Sequence, residues 1–121
     1  MKKLLSLILS LLVLVGIVFS VPFSVGAASA VYGDFKCSVK DGICTIDKYV
    51  GDDLFVTVPQ TINGYPVGII GQNAFGDTDV LGVTLPNSIT KLDHSAFSSC
   101  EELIGITIPS SATYIGLYCF K

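Results

Sequence analysis

Between residues 31 and 121, apolar and polar positions alternate in short runs, and one run recurs three times. Each copy is an apolar-Thr-apolar triplet followed by proline, at 56–59, 83–86 and 106–109. This alternation predicts a half-buried strand whose threonine points away from the core. Proline ends each strand because it has no amide hydrogen to donate to a neighbour. The outward threonines are Thr57, Thr84 and Thr107.

A phenylalanine follows each strand at a recurring distance. Phe97 and Phe120 each stand eleven residues after the proline that ends the preceding strand. The distance to Phe75 is longer, and its extra residues form the segment 63–67, whose Asn-Gly pair is a strong turn signal. A period of about 23 residues predicts stacked coils in which the three phenylalanine rings form one column.

A turn position lies between each apolar residue of the return arm and the phenylalanine that follows it. These turn positions are Gly71, Asp93 and Gly116. Glycine tolerates a positive φ, and aspartate sometimes adopts it, so we expect left-handed backbone at all three. Strand residues such as Val83 and return-arm residues such as Leu92 are expected to share one core, which only stacking of neighbouring coils can cover.

Residues 31–49 are predicted to form a β-hairpin that caps the first coil. Both of its strands alternate apolar and polar residues, and Asp41-Gly42 is typical of a two-residue turn. That turn places two residue pairs opposite each other, Val39 with Cys44 and Cys37 with Ile46. The last coil, 98–121, has no comparable cap in the sequence, which favours a truncated chain or the N-terminal part of a longer array.

The first 30 residues are typical of a secretory signal peptide. Two lysines precede an apolar run from 4 to 21, Pro22 ends that run, and small residues follow. Ala28-x-Ala30 predicts cleavage after Ala30. A membrane anchor is the alternative, because about 18 apolar residues can just span a bilayer. The small-residue site favours cleavage, so the mature form is expected to be secreted or at the cell surface without membrane contact.

Composition narrows the range of functions. Beyond residue 30, five lysines against ten Asp or Glu residues leave a net charge of −5, and the chain has no arginine. Nucleic-acid binding needs a patch of basic residues, so nucleic acid is not expected as a partner. His94, the only histidine, is expected on the convex surface, and no motif places a Ser or Asp near it except its neighbours Asp93 and Ser95, so we predict no catalytic residue and no enzyme. Neither a C-x-x-C pair nor a histidine cluster is present, so we expect no metal site and no cofactor.

Two groups of side chains leave alternatives open. Disulfides are allowed in an exported chain, and Cys37–Cys44 is the best-placed pair, although it is diagonal across the hairpin. Cys100–Cys119 would link adjacent coils, and the alternative is buried free thiols.

Acidic residues also cluster before the strands, as Asp52-Asp53, Asp77-x-Asp79 and Glu101-Glu102. The last two groups take the same place in successive coils, and no loop offers the oxygens of a Ca²⁺ site, so a solvated acidic edge is expected.

The repeated unit resembles the BspA-type leucine-rich repeat of bacterial and some protist surface proteins. An apolar-proline pair, an apolar-glycine pair and Ala-Phe carry the resemblance, which covers about residues 50–121 and departs at Asp93 and Cys119. It implies a short right-handed leucine-rich-repeat solenoid, an α/β-type repeat fold with little helix, of about 2.5–3 units. The units have the bounds 50–75, 76–97 and 98–121.

The resemblance implies a non-enzymatic interaction module that binds an extracellular protein or cell-surface macromolecule, as in adhesion. The candidate binding residues face outward from the strands and are Phe55, Thr57, Gly82, Thr84, Gly105 and Thr107. The two glycines are expected to leave backbone accessible. Threonine is also a good strand former, so a purely structural sheet face is one alternative. Others are a fragment of a larger array or multidomain surface protein without its own ligand, and an accessory domain of a hydrolase.

Overall fold

The computed structural model describes residues 28–121, which contain ten strands and no helix. The strands are β1 (Ala30–Tyr32), β2 (Phe35–Lys40), β3 (Ile43–Tyr49), β4 (Phe55–Thr57), β5 (Thr61–Ile62), β6 (Tyr65–Ile70), β7 (Gly82–Thr84), β8 (Lys91–Leu92), β9 (Gly105–Thr107) and β10 (Tyr114–Ile115). Within this range no helix has the length and apolar character needed to cross a bilayer. Residues 1–27 of the predicted leader lie outside the described residues.

The strands form two sheets that run along one stack of coils. β4, β7 and β9 build a three-stranded parallel sheet. The larger sheet has the order β1-β2-β3-β6-β8-β10, with β5 paired to β6. Its β6, β8 and β10 are parallel, so Ile70, Leu92 and Ile115 lie side by side. The repeat solenoid predicted from the 23-residue period is confirmed, and each return arm adds a short strand because its backbone groups also need partners.

The N-terminal strands join the repeats through backbone pairing. β2 and β3 are antiparallel in the predicted register, with Cys37 opposite Ile46 and Val39 opposite Cys44. Asp41 and Gly42 turn the chain at φ 52° and 76°, as a two-residue hairpin turn requires. β3 then runs parallel to β6 in the larger sheet. β1, which was not predicted, pairs antiparallel with β2 and extends this part of the sheet to a third strand.

A column of stacked aromatic rings runs through the core. Phe75 and Phe97 have centroids 4.9 Å apart, and Phe97 and Phe120 lie 5.5 Å apart with planes 7° from parallel. The predicted column is therefore confirmed. Tyr49 extends it by one ring, 5.3 Å from Phe75, although the sequence gives it no place in the repeat. A backbone ladder accompanies the rings: Tyr49, Phe75 and Phe97 each donate their amide to a carbonyl of the next coil at 2.8 Å.

The predicted left-handed backbone at Gly71, Asp93 and Gly116 is wrong. The positive φ values fall two residues later in each coil, at Asn73, Ser95 and Tyr118. Glycine is required at two of these positions for a steric reason. A Cβ on Gly71 would lie 2.7 Å from the carbonyl oxygen of Ile46, and one on Gly116 would lie 2.5 Å from the amide nitrogen of His94. Glycine therefore allows close backbone approach between coils at these positions.

Candidate functional site

The outward face of the three-stranded sheet carries two straight rows of residues. Parallel pairing aligns Phe55, Gly82 and Gly105 in one row. It aligns Thr57, Thr84 and Thr107 in the other, and all three threonines are exposed. The residues between the rows, Val56 and Val83, are buried because side chains alternate along a strand. We call these two rows the sheet face, and they contain every binding residue predicted from the sequence.

Phe55 and the glycines give one row an uneven surface. The Phe55 ring lies beside Gly82, since a Cβ there would be 2.9 Å from the ring, and Gly82 is half-buried, so its backbone is partly accessible. Gly105 does stay open, with no atom within 4 Å of a Cβ built on it. Ile104, directly before Gly105, is 79% exposed and was not among the predicted site residues. An aromatic ring and an aliphatic side chain therefore stand near an uncovered stretch of backbone.

The sheet face lines an open groove of about 480 Å³ that contains no charged residue. Its polar side chains are the hydroxyls of Thr57, Thr84 and Thr107, which can both donate and accept hydrogen bonds. Its exposed apolar groups are Phe55 and Ile104. The lining includes no paired nucleophile and base, so the groove offers apolar contact and hydrogen bonding to a ligand.

An acidic border runs along the segments that lead into the three strands. We call it the acidic rim; it comprises Asp52, Asp53, Asp77, Asp79, Glu101 and Glu102, all exposed. The first four line a common depression of about 280 Å³ beside Leu54 and Val80. Within residues 28–121 no three Asp, Glu, His or Cys side chains gather closely enough to hold a metal ion. The rim is thus a row of separate carboxylates.

Tyr49 anchors the first acidic segment to the core. Its hydroxyl accepts a hydrogen bond from the Asp53 amide at 2.9 Å, while its ring stacks on Phe75. Burial raises the pKa of the Tyr49 hydroxyl above its usual value. The neutral hydroxyl therefore holds the turn that carries Asp52 and Asp53 in front of β4.

His94 takes part in contacts between coils and lies outside the sheet face. Its Nδ1 accepts a hydrogen bond from the Leu117 amide at 3.0 Å, and its ring meets the Tyr114 ring edge-on at 6.3 Å. Its own amide donates to the Asp93 carboxylate at 2.8 Å. These contacts give the side chain a role in joining the second and third coils.

The four cysteines are free thiols in the structure. Cys37 and Cys44 are both buried on the core side of the hairpin. Cys100 donates to the carbonyl oxygen of Phe75 at 3.0 Å, and Cys119 is buried in the third coil, where burial raises its pKa. The diagonal position of Cys37 relative to Cys44, predicted from the hairpin turn, is confirmed.

Sequence reasoning missed Ile104 and Tyr49, and only Ile104 could have been found by aligning the repeated strands. Ile104 aligns with Leu54 and Leu81, one place before the row of Phe55, Gly82 and Gly105. Apolar residues at all three places indicate a surface row beside the sheet. Tyr49 gave no such signal, because it is the last residue of the hairpin strand β3, which does not match the repeat.

Comparison with known proteins identifies the repeat family. The family model described as "BspA type Leucine rich repeat region (6 copies)" matches residues 56–121. No curated protein matches the chain.

Solved structures show the same fold. A leucine rich cell surface protein from Faecalibacterium prausnitzii A2-165 is 27% identical with a TM-score of 0.72, over 80% of this chain and 28% of its own. A leucine-rich repeat protein from Bacteroides capillosus ATCC 29799 is 27% identical with a TM-score of 0.70, over 75% of this chain and 72% of its own. A T. pallidum leucine-rich repeat protein, 23% identical with a TM-score of 0.55, covers 74% of this chain and 54% of its own.

The chain thus spans about 28% of the length of the F. prausnitzii protein. The family match, which extends over more than half of the sequence, agrees with the stacked coils and with the fold of the solved relatives. The chain therefore belongs to the BspA-type leucine-rich repeat family.

Proposed function

We propose that this protein is a non-enzymatic interaction module, secreted or displayed at the cell surface, that binds a protein through its sheet face. The partner is an extracellular protein or a cell-surface macromolecule, and adhesion is the resulting activity. The contact residues are Phe55, Thr57, Gly82, Thr84, Gly105 and Thr107. The family and the cell-surface relative support this proposal.

The observation that carries the proposal is the exposure of Phe55. Its side chain is 67% exposed on the sheet face, whereas Phe35, Phe75 and Phe97 are buried in the core. Aromatic side chains are enriched in protein interfaces because they bury large areas with little loss of conformational freedom. Phe55 also borders a groove whose threonine hydroxyls can bond a partner's backbone. Binding requires no chemistry beyond these contacts.

Export is part of the proposal. The leader predicted over residues 1–30 would be cleaved after Ala30, and the exported chain would begin at Val31. Strand β1 begins at Ala30, so cleavage there would leave most of β1 in place.

A capture experiment tests the sheet face. The chain from Val31 is immobilised and exposed to solubilised extracellular and cell-surface proteins, beside the double variant Thr84→Lys/Thr107→Lys. We expect the variant to lose at least about tenfold in captured partner, because two long charged side chains would occupy the groove. The control Thr61→Lys alters an exposed threonine of β5 and should capture as the parent does.

Two results would contradict the proposal. Unchanged capture by the double variant would remove the sheet face as the binding site. Absence of capture by the parent would favour the structural alternative, in which the coils have no ligand of their own. Circular dichroism of the parent and of both variants is measured alongside, so that a loss of capture is counted only for a folded protein.

A further inference from the structure

The lysines and the acidic rim lie on different segments of the fold. Of the five lysines beyond residue 30, four stand on strands of the larger sheet: Lys36 and Lys40 in β2, Lys48 in β3 and Lys91 in β8. The fifth, Lys121, follows the last turn. Neither the three-stranded sheet nor the segments leading into it contain a lysine, whereas those segments carry the six carboxylates of the acidic rim.

The register of the three-stranded sheet aligns part of the rim. Asp52, Asp79 and Glu102 each stand three positions before the paired row of Phe55, Gly82 and Gly105. Every coil therefore presents a carboxylate at the same distance from its strand. The residues that follow the strands on the opposite border of the groove, including Pro59 and Pro86, are uncharged.

The carboxylates of the acidic rim are not neutralised by basic side chains of residues 28–121. Within residues 28–121 the ion pairs involve Asp93, which lies 3.6 Å from Lys91 and 4.0 Å from His94. No rim carboxylate pairs with a lysine in this range. Lys48 bonds the carbonyls of Asn73 and of Gly76, which directly precedes Asp77, and it forms no ion pair with a rim carboxylate. A row of unpaired carboxylates beside a neutral groove attracts positive charge along one border.

We propose that the partner of the sheet face is a cationic protein segment. Its Lys or Arg side chains face Asp52, Asp79 and Glu102, and an apolar side chain packs on the open surface at Gly105, near Phe55 and Ile104. This inference rests on the proposed function and names the chemistry of the partner. Charge complementarity of this kind fixes the orientation of a bound segment and speeds its association.

Matched synthetic peptides test the inference. Three short peptides share a central leucine and differ only in the flanking residues, which are lysine, glutamate or glutamine. Fluorescence anisotropy measures their binding to the chain from Val31. We expect the lysine peptide to bind tightest and its affinity to fall when NaCl rises from about 0.05 M to about 0.5 M, because salt screens exposed charges.

Charge-matched variants distinguish the effect of the acidic rim on affinity from the effect of net charge. Asp79→Asn/Glu102→Gln removes two negative charges from the rim and should weaken the lysine peptide about three- to tenfold. Gln72→Lys/Thr61→Lys changes the net charge equally at exposed positions away from the groove and should change affinity less than about twofold. Phe55→Ala should weaken all three peptides, since it removes the apolar contact.

Several results would overturn the inference. Equal binding of the three peptides, no binding by any of them, or equal weakening by the two charge-matched variants would each do so. Unchanged binding of the lysine peptide to the Thr84→Lys/Thr107→Lys variant would also overturn the inference. The acidic rim would then bind the peptide without the sheet face. If the peptides fail while the capture experiment still depends on Thr84 and Thr107, the proposed binding face stands and only the cationic partner is wrong.

Discussion

Gly71 and Gly116 let the backbone of one coil approach that of the coil before it. The Gly71 amide donates to the carbonyl of Ile46 at 2.8 Å, and a side chain on Gly71 would meet that carbonyl oxygen. Gly105, on the sheet face, has open space where a Cβ would stand. An added methyl group should therefore destabilise the fold at Gly71 and Gly116 but not at Gly105, although all three glycines lie at repeated positions of the sequence.

Gly71→Ala should destabilise the fold by about 1–3 kcal/mol, because the new methyl group forces two backbones apart. Gly105→Ala, the matched control, should change the free energy of unfolding by no more than about 0.5 kcal/mol. Urea denaturation of both variants measures the difference. Equal effects would show that the close approach seen at Gly71 does not determine its tolerance to substitution.

At the scale of elements, the hairpin of β2 and β3 brings two cysteines together on its buried side. The interaction between the two neighbouring thiols raises the pKa of Cys37 and lowers that of Cys44. Burial and the nearby Asp47 carboxylate oppose ionisation of both. A thiol of lowered pKa is present more often as thiolate, the form that attacks a disulfide.

We predict that Cys37 and Cys44 form a disulfide in the exported protein. While local opening exposes the otherwise buried Cys44, its thiolate attacks the disulfide of a thiol–disulfide oxidoreductase, and Cys37 then displaces that enzyme's sulfur, so the enzyme leaves as a dithiol with the two electrons. Two thiols should then react under denaturing, non-reducing conditions, and four after reduction. Cys37→Ser should abolish the difference between the two counts, whereas Cys100→Ser should preserve it. Four reactive thiols before reduction would show that the pair stays reduced.

At the scale of the whole molecule, burial decreases along the stack of coils. Ile70 and Leu92, which occupy the same place in the first two coils, are fully buried. Their counterpart in the third coil, Ile115, is 50% exposed, and Phe120 at the end of the aromatic column is 45% exposed. Local opening costs least where the fewest apolar contacts are lost, so stability should be graded along the molecule.

Hydrogen exchange of the chain from Val31 measures this gradient. The amide of Phe75 in the first coil, bonded to the Ala96 carbonyl of the second, should exchange more slowly than the amide of Gly116 in the third coil, bonded to the Leu92 carbonyl of the second. Both bonds measure 2.8 Å, so the comparison isolates the effect of burial. Equal protection of the two amides would indicate that the described residues open as one unit.

The repeat period, the turn-forming residues and the alternation of side chains were sufficient to predict most of the architecture. The recurrence of Phe75, Phe97 and Phe120 at matched distances determined the aromatic column, because rings at the same place in stacked coils must meet. The Asp41-Gly42 turn determined the hairpin register for a similar reason, since turn length sets strand pairing. The outward rows of the three-stranded sheet follow from side-chain alternation in Val83 and its neighbours.

Only the tertiary structure decided the features that depend on distances between coils. It assigned Gly71 to close contact, placed Tyr49 in the aromatic column and left Ile104 exposed. It also showed that no carboxylate of the acidic rim forms an ion pair with a lysine of residues 28–121. A repeat pattern specifies which residues take equivalent positions along the chain. How near one backbone comes to the next, and which charges meet, depends on how the stacked coils pack in space.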